Sequence, residues 1–330
     1  MIWNQWYAVL SANEVMKGKL CGVTRLCEKL LFWRNEQGEV ICLQDVCVHR
    51  GAALSLGTHC GDEVMCPFHG FRYDRSGKVT QIPAKGKNTR VPDSFHVKSY
   101  PVSEYHGMLY IWWGDPSGNL PAVPHFDDLG DDFSGYISIH SWPVHYSRAI
   151  ENQLDLVHLP YVHRKTIGKG NRTLVNGPVQ IAQEGSIQFW VYNEVDEGQT
   201  PRKSSQLPPP DRSKQHIHFI FPNIWQNWIS PSLRIFVAFV PVDESNTLIY
   251  LRTCQRFAAA PGLKQTINWI NKVFSDKVLR EDEQVVRSQI PIRTDLRMNE
   301  KLIAGDLPII TYRKMRDELK RTTNLSNDIL

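Results

Sequence analysis

The chain has 330 residues, of which 42% are hydrophobic and 22% are charged, and this balance excludes a disordered or fibrous protein. Its length predicts two folded domains. The formal net charge of +4 is too small to predict nucleic-acid binding, and no apolar stretch approaches the roughly 18 residues of a membrane span.

Seven cysteines lack the dense, regular spacing of a small secreted scaffold. The N-terminal residues MIWNQWYAVL also lack the charged and long apolar regions of an export signal. Both features predict reduced thiols, a metal site and a cytoplasmic location.

Residues 1–118 alternate short strand-like stretches with turn signals, as in KLLFWRN, VICLQDV and RYDRSGKV. This pattern predicts a small all-β domain. The segment 114–132 is dense in Pro, Gly and Asp, which favour neither helix nor sheet. We therefore predict a domain border near Gly118, with a second domain over 119–330.

The second domain combines alternating stretches such as SIQFWVYNEV and LRIFVAFVPV with two segments of helical pattern, 147–159 and 262–288. An antiparallel sheet carrying helices, an α+β fold, follows. The proline-rich segment 200–215 is predicted to be a surface loop, in which Arg202 and Lys203 either contact a substrate carboxylate or keep the loop solvated.

One stretch carries two Cys-His pairs, Cys47 with His49 and Cys66 with His69, separated by sixteen residues. Chance and a structural zinc ion are the plain alternatives. Zinc fingers, however, place Cys with Cys on one element and His with His on another, whereas each loop here has one of each. The pattern favours a [2Fe–2S] cluster with two thiolates on one iron and two imidazoles on the other.

This stretch resembles the Rieske signature. It departs from the commonest form at Val48 and Phe71, neither of which is a ligand position. Respiratory Rieske proteins add two disulfide-forming cysteines at places held here by Ala52 and Phe68. The resemblance therefore implies the lower-potential cluster of oxygenases and their ferredoxins.

A second set of candidate ligands lies in RAIENQLDLVHLPYVHRKTIGKG at 148–170. Asp155 and His158 share a helical face, but His158 and His163 would be splayed by roughly 140° on a regular helix. Pro160 removes a backbone donor, so we expect the helix to end or bulge there and bring the two histidines together. Two histidines and a carboxylate are the ligand set of non-haem Fe(II) oxygenases.

The carboxylate is expected from the later helix, which offers Glu281, Asp282 and Glu283. Periodicity places Glu281 and Asp282 near the predicted buried stripe and Glu283 on the far side, so it leaves the first two open. The residues of that stripe are Ile267, Ile270, Phe274, Val278 and Val285.

A Rieske stretch followed by N-x-x-D-x-x-H-x-x-x-x-H and E-D-x-x-V resembles the Rieske non-haem iron oxygenase large subunit, and is most similar to the vanillate and dicamba O-demethylase branch. The resemblance implies that Asp282 completes the iron site with His158 and His163. It implies that Asp155 bridges from the cluster ligand His69 of one protomer to an iron histidine of the next. It also implies a helix-grip, START-like catalytic domain and a homotrimer.

Asn152 matches the asparagine that this family has near the iron, although a local structural hydrogen bond explains it equally well. The expected protein is a terminal monooxygenase component that uses O₂ to hydroxylate or demethylate a small aromatic or cyclic substrate. Without a Gly-rich dinucleotide fingerprint, NAD(P)H and flavin should sit on a separate reductase or ferredoxin partner. The alternatives are a Rieske electron carrier with a non-catalytic small-molecule domain and, more distantly, a structural zinc protein.

Overall fold

A computed structural model describes residues 1–183, 185–258, 260 and 262–327. The chain divides into two compact units, Trp3–Val123 and Pro124–Leu330. The predicted class, an all-β unit followed by an antiparallel sheet with helices, is confirmed. The border near Gly118 stays a prediction. In the described part of the chain, no helix has the length and hydrophobicity needed to cross a bilayer.

The first unit contains three small antiparallel sheets, ordered β1-β11-β10, β2-β3-β4-β9 and β5-β6-β7-β8. Their strands are β1 (Gln5–Ser11), β2 (Cys21–Arg25), β3 (Glu28–Arg34), β4 (Val40–Gln44), β5 (Thr58–Cys60), β6 (Glu63–Met65), β7 (Arg72–Tyr73), β8 (Val79–Gln81), β9 (Ser99–Tyr100), β10 (Val102–Tyr105) and β11 (Met108–Trp113).

Strand β3 organises this unit because both of its faces are buried. Successive side chains of a strand point to opposite faces. Leu30 and Phe32 therefore enter one hydrophobic cluster, while Leu31 and Trp33 enter another. The second cluster also contains Cys47 and Cys66, so the two candidate thiol ligands are part of the core.

The second unit is built on one seven-stranded antiparallel sheet, ordered β12-β18-β17-β16-β15-β14-β13. Its strands are β12 (Ile137–Trp142), β13 (Leu174–Gln183), β14 (Ser186–Glu194), β15 (His216–Ile220), β16 (Ile224–Ser230), β17 (Leu233–Pro241) and β18 (Thr247–Gln255). Its helices are α1 (Tyr146–Leu154), α2 (Leu159–Val162), α3 (Leu263–Val286) and α4 (Leu307–Asn327). Helix α3 packs against β18 and β12, and α4 packs against β13 and β14.

The helix predicted over 147–159 is wrong at its C-terminal end. Helix α1 ends at Leu154, and the backbone of Asp155 is extended. The side chain of Asp155 accepts a hydrogen bond from the Val157 amide at 2.7 Å. Pro160 lies in the first turn of the separate helix α2, where its missing N–H costs no helical hydrogen bond. The helix is therefore interrupted before the proline, between Leu154 and Leu159, and this interruption brings the two histidines together.

The bounds predicted for α3 are right to within two residues, but its predicted buried stripe is wrong. Ile270, Phe274 and Val285 are 52%, 49% and 44% exposed. The buried residues of this helix are mostly polar, namely Asn268, Ser275, Asp276, Leu279, Asp282 and Val286. Helix α4 is absent from the sequence prediction altogether.

Candidate metal centres

The two Cys-His loops of the first unit have the same backbone hydrogen bonds. In the first loop the Cys47 amide donates to the Ala52 carbonyl at 2.8 Å, and the Gly51 amide donates back to the Cys47 carbonyl at 2.9 Å. In the second loop Cys66 makes the equivalent bonds with Phe71 and Gly70, at 2.8 and 3.1 Å.

Each loop closes through a glycine four residues after its cysteine. Gly51 and Gly70 have φ angles of +72° and +71°, in the left-handed region that glycine adopts without strain. This shared geometry explains why the two ligand pairs form matched, tight loops.

The four candidate ligands divide into buried sulfurs and exposed imidazoles. Cys47 and Cys66 are 3% and 1% exposed, whereas His49 and His69 are exposed. The Nδ1 atoms of the two histidines lie 3.1 Å apart, and the His49 ring stacks on Phe71 with centroids 5.0 Å apart. Two thiols inside and two neutral nitrogens outside fit a [2Fe–2S] cluster with one all-cysteine iron and one all-histidine iron.

Tyr73 holds the first loop against the core. Its hydroxyl donates to the Cys47 sulfur at 3.0 Å and accepts from the Val48 amide at 3.0 Å. Burial and then the neighbouring Cys47 raise the pKa of Tyr73 well above its usual value, so the hydroxyl remains a donor at physiological pH.

The second set of predicted ligands converges in the second unit. One ligand atom each from His158, His163 and Asp282 lies within 4.8 Å of the others. Oδ1 of Asp282 is 2.9 Å from His163 Nε2 and 3.4 Å from His158 Nε2. His163 and Asp282 are 1% and 2% exposed.

The charges of this site are strongly coupled. Burial alone would raise the pKa of Asp282, but the two histidines lower it to about 2. Burial lowers the pKa of His158, and the carboxylates of Asp155 and Asp282 more than offset this and raise it to about 9. The site therefore places one carboxylate opposite two imidazoles, a donor set that suits a divalent cation when the cation displaces the imidazole protons.

The surroundings of one Asp282 oxygen also fit a metal ion at this position. Oδ1 of Asp282 is shielded from solvent and, in the described part of the chain, no donor makes a hydrogen bond of good geometry to it. A buried carboxylate oxygen that receives no well-aligned hydrogen bond costs free energy, even with two imidazoles nearby. A metal ion bound to this oxygen and to both Nε2 atoms would remove that cost.

Neighbouring residues form hydrogen bonds with the polar atoms of His163 and Asp282 that do not face the candidate metal position. Glu281 accepts from His163 Nδ1 at 2.9 Å and from the Thr166 hydroxyl at 2.7 Å. Gln153 donates from Nε2 to Oδ2 of Asp282 at 3.1 Å. The structure thus separates the two acids that periodicity left open, because Asp282 faces both Nε2 atoms and Glu281 lies behind His163.

The other two predicted site residues are Asp155 and Asn152. Oδ2 of Asp155 lies 3.7 Å from His158 Nδ1, and its side chain is 29% exposed. Nδ2 of Asn152 is shielded and has no hydrogen-bond partner among the described residues. Sequence reasoning missed Gln153, and its only signal was a polar residue beside the predicted Asn152.

A cavity of about 780 Å³ is lined by the three candidate ligands together with residues of the sheet and of α3. Alternate residues of β16, Trp225 and Asn227, line it from one side, and Phe274 and Val278 line it from the helix. Four further strand aromatics, Phe189, Trp190, Phe219 and Trp228, are buried outside this lining. Arg202 forms an ion pair with Glu194 instead of facing the cavity.

Both halves of the chain match known families. Residues 5–101 match the Rieske [2Fe-2S] domain, and residues 142–322, more than half of the chain, match the vanillate O-demethylase oxygenase C-terminal domain.

Individual relatives are named as monooxygenase or demethylase proteins. The chain is 34% identical over 207 residues to the iron-sulfur subunit TsaM1 of the toluene-4-sulfonate monooxygenase system of Comamonas testosteroni, covering 58% of this chain and 56% of that protein. It is 28% identical to the methylxanthine N1-demethylase NdmA of Pseudomonas putida, covering 96% and 88%. The dicamba O-demethylase oxygenase component of Stenotrophomonas maltophilia is 36% identical, covering 49% and 47%. The chain thus spans about half the length of the first and third of these relatives.

Solved structures share the fold over nearly the whole chain. Pseudomonas putida CBB5 NdmA superposes with a TM-score of 0.80 at 24% identity, covering 96% of this chain and 90% of that one. Dicamba monooxygenase bound to 3,6-dichlorosalicylic acid superposes with a TM-score of 0.78 at 22% identity, covering 98% of both.

Proposed function

Because this chain belongs to the Rieske non-haem iron oxygenases of the vanillate O-demethylase type, we propose that it is the terminal oxygenase component of a monooxygenase system. The activity proposed is hydroxylation or oxidative demethylation of a small aromatic or cyclic substrate with O₂. The observation that carries this proposal is the convergence of His158, His163 and Asp282 in the lining of a cavity.

Each domain has one cofactor in this proposal. Residues 1–118 form the Rieske domain, with a [2Fe–2S] cluster held by the two Cys-His pairs. Residues 119–330 form the catalytic domain, with a mononuclear iron held by His158, His163 and Asp282. The chemistry these cofactors supply when bound is one-electron transfer at the cluster and O₂ activation at the iron.

The protein side chains create the conditions for that chemistry. His49 and His69 are exposed, which leaves a short path for electrons at the imidazole edge of the cluster site, while the buried thiols are shielded from water. In the second unit, the apolar wall formed by Val237, Leu251 and Leu279 binds the substrate ring and excludes bulk water from the reacting carbon.

The proposed assembly is a homotrimer in which electrons leave one protomer at His69 and enter the next at Asp155. Asp155 suits this role because it remains partly exposed while its Oδ2 is close to His158. Asn152, whose Nδ2 is shielded and has no hydrogen-bond partner among the described residues, is proposed to be the asparagine that the family has near the iron.

The proposed electron donor is a separate NAD(P)H-dependent flavin reductase or ferredoxin, and the proposed location is the cytoplasm. None of the seven cysteines forms a disulfide, which agrees with a reducing compartment. Relatives named for the demethylation of methylxanthine and dicamba support a ring-containing substrate.

Iron and sulfide analysis of His158→Ala tests the proposal. The variant should lose one iron per chain, keep its inorganic sulfide and red-brown spectrum, and lose turnover of a panel of methoxy- and methylamino-aromatics. His96→Ala, which removes an exposed histidine of the first unit, is the control and should retain all the iron. A His158→Ala protein that keeps the cluster and still turns over substrate would show that the mononuclear site is not the catalyst. Wild-type protein with cluster iron alone would instead favour the electron-carrier alternative.

A further inference from the structure

The two oxygens of Asp282 have different surroundings. Oδ1 faces the Nε2 atoms of His158 and His163, whereas Oδ2 accepts a hydrogen bond from Gln153 Nε2 at 3.1 Å. The orientation of the Gln153 amide is chemically required, because its oxygen would repel a carboxylate oxygen at this distance. One oxygen therefore faces the candidate metal position, and the other is held by a neutral donor.

Gln153 is itself fixed in place by the end of α1. It belongs to the last turn of that helix, where carbonyl groups have no helical partner. Its carbonyl accepts instead from the indole nitrogen of Trp225 at 3.1 Å. This bond anchors the backbone of Gln153 to the sheet, so the amide can hold Oδ2 with little loss of side-chain freedom on metal binding.

We propose that Gln153 is a positioning residue that makes Asp282 a one-oxygen ligand of the metal. The inference rests on the proposed function, since it requires a metal at His158, His163 and Asp282. A carboxylate whose Oδ2 has no partner is free to bind a metal through both oxygens, which fills an additional coordination position. By occupying Oδ2, Gln153 keeps that position open beside the cavity.

A purely structural role for Gln153 is the competing explanation, because the bond to Asp282 also joins α1 to α3. The two roles predict different measurements. A structural link changes only the stability of the protein, whereas a positioning residue changes the number of Asp282 oxygens on the metal.

The test uses the Gln153→Met variant, which keeps the length of the side chain and removes its hydrogen-bond donor. The mononuclear site of the cluster-containing protein is emptied with a chelator and reloaded with Co²⁺. Crystal structures then give the distance from each Asp282 oxygen to cobalt. The cobalt K pre-edge intensity gives the coordination change in solution without a contribution from cluster iron. Gln183→Met, an exposed glutamine of the same unit, is the matched control.

We expect Oδ2 to lie outside bonding distance in the wild type and in Gln183→Met, and to move to about 2.2 Å from cobalt in Gln153→Met. The pre-edge intensity should fall in Gln153→Met because the coordination number rises. Gln153→Leu, a second donor-free variant, should behave in the same way if Gln153→Met folds poorly.

Unchanged one-oxygen binding and pre-edge intensity in the Gln153 variants would overturn the inference, even if their stability falls. Two-oxygen binding in the wild type would overturn it as well. Failure of the wild type to bind Co²⁺ at these residues is a different result, because it would contradict the proposed iron site itself.

Discussion

His163 is held between two consecutive residues of α3. Its Nδ1 atom donates to Oε2 of Glu281 at 2.9 Å, and its Nε2 atom lies 2.9 Å from Oδ1 of Asp282. Hydrogen bonding at Nδ1 leaves the lone pair of Nε2 free for a metal and fixes the orientation of the ring. Glu281 therefore contributes to the candidate site by orienting His163.

Replacing Glu281→Ala should weaken Fe²⁺ binding to the mononuclear site by about 10- to 100-fold, because His163 loses the acceptor that orients its ring. Titration of chelator-treated protein with Fe²⁺ under anaerobic conditions measures the change. Glu283→Ala is the control, since this neighbouring acid pairs with Arg287 instead. Equal affinities of the two variants would contradict the role of Glu281.

Replacing Tyr73→Phe should lower the reduction potential of the cluster. In the wild type, the hydrogen bond from Tyr73 to Cys47 stabilises the additional negative charge of the reduced cluster, and the variant lacks this bond. A bond of about 1 kcal/mol corresponds to roughly 40 mV for one electron. A redox titration followed by circular dichroism measures the shift, and Tyr100→Phe, whose hydroxyl bonds Glu28 instead, should leave the potential unchanged.

Replacing Arg313→Met should strongly destabilise the second unit. The guanidinium of Arg313 is bonded to both oxygens of the buried Glu151, at 2.9 and 2.6 Å, and to Glu300 at 2.7 Å. Removing one partner from a buried ion pair costs about 3–5 kcal/mol, and the buried Glu151 would retain only Arg148, whose Nη1 lies 3.8 Å away. Urea denaturation measures the loss. Arg321→Met, which removes an exposed pair, should change the free energy by less than about 0.5 kcal/mol.

Glu300 should make the second unit sensitive to acid. Burial alone would raise its pKa, but Arg313 and Arg148 lower it below the ordinary value of 4.5. The charged form therefore stabilises the fold fully above about pH 4.5, and this stabilisation is lost as the pH falls through the lower pKa of the folded state. Denaturation measured as the pH falls below about 4.5 should show a shallower pH dependence for Glu300→Gln than for the wild type. Parallel pH profiles would contradict the assignment.

The two halves of the candidate site differ in how far the sequence predicts them. Each Cys-His pair lies within four residues and closes its own loop through Gly51 or Gly70, so local backbone geometry determines the arrangement of its ligands. The spacing of the motif is therefore nearly sufficient for the cluster site.

The mononuclear site combines residues more than a hundred positions apart, and its supporting helices carry polar residues on their buried faces. The buried side of α3 includes Asn268 and Asp282, and that of α4 includes Arg313 and Arg316 beside Tyr312. A search for apolar periodicity assumes that buried means apolar. It therefore chose the wrong face of α3 and did not find α4.

The sequence by itself predicted the two fold classes, the Cys-His loops and the candidate ligands His158 and His163, because each depends on residues that are close in the chain. Periodicity left Glu281 and Asp282 open, and although the family resemblance implied Asp282, only the tertiary structure shows which carboxylate faces the histidines. Glu281 and Asp282 are adjacent in sequence and equal in charge. The packing of α3 against the sheet directs Asp282 toward both Nε2 atoms and Glu281 behind His163, and no local pattern encodes that rotation.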